Sequence, residues 1–73
     1  MDITYDTIVI SGGGIQSISY IGALQSLYDK GLITRNMKLY CSKDTMETFE
    51  NYILDKEFII TLKVMHINGL QYR

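Results

Sequence analysis

The 73-residue chain has no proline and no tryptophan, and its one cysteine is Cys41. A single cysteine excludes an internal disulfide. His66 is the only histidine, so soft ligands are too few for a zinc site, and no cofactor is expected. Charge of one sign is also scarce: seven basic against eight acidic residues leave a net charge of −1. With no basic stripe, nothing marks the chain as a nucleic-acid binder. No apolar run approaches the ~18 residues of a transmembrane segment. The opening Met1-Asp2-Ile3-Thr4-Tyr5-Asp6 is acidic and poor in apolar residues, unlike a signal peptide. A free cysteine without an export signal points to a reducing, intracellular (cytoplasmic) compartment. A chain this short buries only about 60% of its unfolded surface, so its stability is expected to draw on a partner chain or on the rest of a larger domain.

The informative stretch is Thr7-Ile8-Val9-Ile10-Ser11-Gly12-Gly13-Gly14-Ile15-Gln16-Ser17-Ile18. Residues 1–5 read as a lead-in. Asp6 to Ser11 reads as a strand because Thr, Ile and Val are β-branched. Its apolar run does not alternate, which predicts a strand covered on both faces. Three glycines follow, where the backbone can turn its N–H groups toward an anion. A helix is predicted from Ile18 to Lys30, with Ile18, Ile21, Leu24, Leu27 and Tyr28 at three- and four-residue spacing. Gly22 inside it is expected to mark close packing against the sheet. Lys30 and Gly31 are helix-stop signals.

Met37, Leu39 and Cys41 alternate with Lys38 and Tyr40, the period of a short strand. Residues 6–41 thus read as a strand–helix–strand unit, whose parallel crossover would be right-handed. Asp44 and Glu47 form a capping-box pattern that predicts a second helix over Thr45–Lys56. Its buried stripe is Met46, Phe49 and Ile53, with Tyr52 beside them. Phe58 to Met65 is rich in strand-forming residues and reads as a further strand. Asn68-Gly69 is a turn signal, and Leu70–Arg73 a tail.

The glycines fail the nucleotide fingerprints. Gly12-x-Gly14-x-x-Ser17 lacks the final glycine and the acidic residue about 20 positions on, and no Gly-Lys-Ser/Thr ending is present. The span from Ile8 to Ile33, with the glycine loop, Gly22-x-Leu24-x-x-Leu27 and the closing Gly31, instead resembles the opening of patatin-like phospholipases. The resemblance covers about residues 5–33 and more loosely reaches Cys41. It implies a three-layer α/β fold, lipid acyl hydrolysis by a Ser–Asp dyad, and a lipid or acyl ester as substrate. By match, Gly12, Gly13 and Gly14 would form the oxyanion loop, whose N–H donors are each worth on the order of 10²–10³ in rate.

Other positions depart from that family. Gln16 and Ser17 stand where it carries Arg or Lys and then Gly. The nucleophile turn Gly-x-Ser-x-Gly would fall at Tyr40-Cys41-Ser42-Lys43-Asp44, so Ser42 is the candidate nucleophile, with neither glycine beside it. The family's Asp-Gly motif is absent. Cys41 reads as a buried strand residue, and His66 lies in an apolar stretch with no acidic neighbour to make it a general base. Met37, Met46 and Met65 read as core.

The expectation is an α/β strand–glycine loop–helix–strand unit with a further helix and strand. Residues 1–73 would form one small domain or the truncated N-terminal part of a patatin-like domain. The oxyanion loop is kept and the catalytic dyad lost, so the chain alone would be inactive. A non-catalytic anion, lipid-headgroup or protein-binding module is the alternative, and a small nucleotide-binding unit is disfavoured by the failed fingerprints.

Overall fold

A computed structural model describes residues 1–4 and 6–71; Tyr5 in the expected lead-in, and Tyr72 and Arg73 in the expected tail, lie outside it. The chain forms a small α/β domain with a three-stranded mixed sheet and three helices. The strands are β1 (Asp2–Thr4), β2 (Thr7–Val9) and β3 (Lys38–Tyr40), and the helices are α1 (Ile18–Asp29), α2 (Lys43–Tyr52) and α3 (Lys56–Leu70). The sheet order is β1-β2-β3. β1 pairs antiparallel with β2, and β2 parallel with β3, so that Ile3, Ile8 and Leu39 lie in one row. The lead-in therefore holds a strand. Three residues of it bear no apolar pattern, and only pairing with β2 makes it visible.

Along β2, Ile8 and Ile10 are buried, while Val9 between them is 38% exposed. The expectation of a strand covered on both faces is thus corrected: side chains alternate across a sheet, and the row containing Val9 and the exposed Asp2 faces outward. The inner face joins Leu24, Leu39, Phe49, Phe58, Leu62 and Met65 in one core, each fully buried. Met37, Met46 and Cys41 are buried in it too. The folded chain exposes 4618 Å², against roughly 4,600 Å² for a compact monomer of this mass.

α1 ends as expected. Gly31 adopts φ +75°, its N–H donates to Tyr28 O at 3.0 Å, and the Leu32 N–H donates to Leu27 O at 3.0 Å. These are the two bonds of a Schellman stop, which needs a left-handed residue at this position.

α2 starts earlier than expected. Its N-cap is Ser42, not Asp44, and Asp44 lies in the first turn, where a carboxylate suits the helix dipole. It also ends earlier, at Tyr52, and Tyr52 is exposed rather than part of the buried stripe.

The largest correction concerns residues 58–65, which form the core of α3 and not a strand. Asp55 caps it, its carboxylate accepting the Phe58 N–H at 3.2 Å. Phe58, Thr61, Leu62, Met65 and Gly69 are buried, a three- and four-residue spacing that outweighs the strand propensity of the individual residues. The helix runs through Asn68-Gly69, so no turn forms there.

α3 lies along the outer edge of β3. Lys38 and Tyr40 bond toward β2, through Lys38 N–H to Asp6 O and Ile10 N–H to Tyr40 O, so Met37, Leu39 and Cys41 direct their carbonyls outward. Asn68 Nδ2 donates to Met37 O at 3.1 Å and to Arg35 O at 2.8 Å. His66 Nε2 bonds to Cys41 O at 3.2 Å. Between them, a Cβ on Gly69 would stand 2.7 Å from Leu39 O.

The two helical glycines therefore have exchanged roles relative to expectation. A Cβ on Gly22 would meet nothing within 4 Å, so Gly22 does not mark close packing. Gly22→Ala should stabilise the fold by about 1 kcal/mol through helix propensity alone. Gly69→Ala should destabilise it by about 1–3 kcal/mol, because α3 must move off β3. Urea denaturation of the two variants, read for opposite shifts in midpoint, checks both.

Candidate functional site

Because β2 and β3 are parallel neighbours, their C-terminal ends open on the same side, the usual place for a ligand crevice in an α/β sheet. Gly12–Gly14 follows β2, and Ser42 follows β3 by two residues. Gly12 has φ +84°, a value that glycine adopts freely and a residue with a Cβ does not. This turn leads into Gly13, which is extended at φ −150° and ψ 168°, and then into a 3₁₀ turn over Gly14–Ser17 that runs directly into α1. Gln16 folds back so that a Cβ on Gly12 would be 3.4 Å from its Oε1. Ser17 is buried, with 1% of its surface exposed, and takes the ordinary helical φ of −70°.

The structure brings the two sequence-predicted features together. A Cβ on Gly13 would stand 3.7 Å from Ser42 Oγ. Gly12 is needed for its conformation, whereas a Cβ on Gly13 would make only ordinary van der Waals contact with the hydroxyl.

The chemistry at Ser42 is that of a helix cap. Its Oγ accepts the Thr45 N–H at 3.1 Å and shares a hydrogen bond with Thr45 Oγ1 at 2.9 Å. Thr45 itself is fully buried. Among the described residues these are the hydroxyl's only partners, and neither an amide nor a second hydroxyl is a base able to activate it. The backbone agrees: Ser42 has φ −73° and ψ 161°, and no non-glycine among the described residues has positive φ. The strained strand-to-helix turn that presents a nucleophile is not formed, as expected where Tyr40 and Asp44 replace glycines.

His66 is one residue from Ser42 through Cys41, but its Nε2 is occupied by the Cys41 carbonyl. A carbonyl only accepts, so Nε2 carries the proton there. Cys41 is buried and in no disulfide. Among the described residues no group of three His, Cys, Asp or Glu side chains could hold a metal ion, and no helix is long and apolar enough to cross a membrane.

Two hollows lie elsewhere. One runs between α2 and α3, lined by residues including Met46, Glu47, Glu50, Lys63 and His66. The other is at the opposite end of the sheet, by Asp6, Leu32 and Met37. Neither lining includes the glycine loop or Ser42. No family model, no curated protein and no solved structure matches the chain.

Thr45 is the site residue that sequence reasoning missed. The signal was present: a serine three residues before a threonine at the end of a strand is itself an N-cap pattern. Ser42→Ala should cost about 1 kcal/mol through loss of the cap, lowering Tm by about 4–8 °C. Ser42→Asp, which keeps a capping oxygen, should stay near wild type. A Ser42→Ala protein that melts with wild type would remove the capping role.

Proposed function

We propose that the chain carries the strand–glycine loop–helix–strand layout of a patatin-like lipid acyl hydrolase without its catalytic chemistry. In this reading, residues 6–41 correspond to the first strand, glycine loop, helix and second strand of that three-layer domain. The observation that supports it most is the approach of Gly13 to Ser42 Oγ, at the C-terminal ends of adjacent parallel strands. That is where an acyl hydrolase needs an oxyanion donor and a nucleophile side by side.

The same site accounts for inactivity. Acyl transfer requires the serine proton to pass to a base as the oxygen attacks. Ser42 Oγ meets only Thr45, which cannot take the proton. α3 lies along the far edge of β3, where a longer sheet would continue. The chain is thus a reduced form of the domain, with the serine given over to holding a helix.

A second reading is favoured by the same opening. Ser42 at the start of α2 lies near the glycine loop, and N–H groups at a helix start attract anions. A phosphate or lipid headgroup could be held there without turnover.

Hydrolysis of p-nitrophenyl butyrate and of a phosphatidylcholine vesicle should not exceed the buffer rate, for wild type and Ser42→Ala alike. Turnover lost on Ser42→Ala would overturn the inactive reading. A phosphate-dependent rise in Tm without turnover would favour the anion site.

A further inference from the structure

We propose that α3 exchanges between two copies of this chain, giving a domain-swapped dimer in which α2 and α3 run as one continuous helix. The link between them is three residues, Ile53-Leu54-Asp55. α1 is stopped by a left-handed glycine with Schellman bonds, but α2 has no such stop. No glycine and no proline occurs from residue 43 to residue 68. The chain leaves α2 where Ile53 takes ψ 119° and Asp55 takes ψ 105°, and the Asp55 cap on the Phe58 N–H is the one local signal in the link against a continuous helix.

What holds α3 lies mostly upstream of α2. Asn68 and His66 bond to carbonyls of the β3 segment, Gly69 abuts Leu39, and the Phe58 ring packs on Tyr28 at 4.8 Å. The α3 of a second copy makes these contacts equally well, so exchange conserves them. In the link, fusion gives up the Asp55 cap on the Phe58 N–H and the core position of Ile53, and covers side chains that the closed form leaves in water. Leu54 is 92% exposed and Tyr52 beside it 57% exposed. In a fused helix over 43–70, about 42 Å long, the two links cross at the dimer axis and cover these side chains.

Closure within one chain competes at an effective concentration in the millimolar range for a short link. Exchange should therefore appear on refolding at about 1 mM protein and not in dilute solution. Size-exclusion chromatography with light scattering after such refolding should show a dimer for wild type.

Leu54→Pro is the discriminating variant. The preceding residue is already extended, as a proline demands, and Leu54 is at the surface. A proline inside the fused helix should lower dimer formation by about a hundredfold or more. Leu54→Gly should act in the same direction by about fivefold, and it decides the matter if far-ultraviolet circular dichroism shows Leu54→Pro misfolded. A wild-type protein that stays monomeric overturns the proposal. So does a dimer of equal yield in wild type and the variants, which would mean side-by-side association through exposed Ile60 and Ile67.

Discussion

The outer edge of β3 is the constraint on which the rest of the domain depends. An open strand edge presents unpaired carbonyls that invite another strand. Here α3 supplies donors to two of them, Asn68 to Met37 and His66 to Cys41, while the lack of a side chain at Gly69 lets the helix close on Leu39. The helix can lie this close only because residue 69 has no side chain. Once it is there, Phe58, Leu62 and Met65 fall onto the core, and Phe58 reaches Tyr28 on α1. The same anchoring holds β3 against β2 and so fixes where α2 begins.

The position of Ser42 follows from that chain of supports. β3 ends beside the glycine loop, and the first residue that can cap α2 is a serine. A hydroxyl has one proton to donate and two lone pairs, and both hydrogen bonds of Ser42 Oγ go to Thr45. A nucleophile would need those bonds pointed at a base, on a strained turn with glycines either side. The chain has a cap in an unstrained extended conformation instead. The local hydrogen bonds at this oxygen are those of a helix start.

The first half of the fold was legible because its signals are local. β-branched residues 7–10, the glycines, the apolar spacing of α1 and the stop at Gly31 each act within one turn or one strand. The strand–loop–helix–strand order was legible as well, and it is this order that puts the end of β3 on the same side of the sheet as the glycines. α3 was not, since Phe58-Ile59-Ile60-Thr61 reads as strand until Gly69 is counted as a packing position rather than half of a turn. Which of two helical glycines faces a backbone depends on the edge of β3, a long-range fact. β1 depends on pairing alone. At α2 two capping patterns stand two residues apart, and burial of Thr45 selects the earlier one.

The central claim is that Ser42 is a cap and not an activated nucleophile. A fluorophosphonate probe tests it directly, because it labels a serine only when a neighbouring base has made the oxygen nucleophilic. Intact-mass and peptide analysis after exposure of the folded chain to excess probe should show Ser42 unmodified. A stoichiometric adduct on Ser42 in the folded protein, lost on unfolding, would contradict the account and restore the site as a working hydrolase.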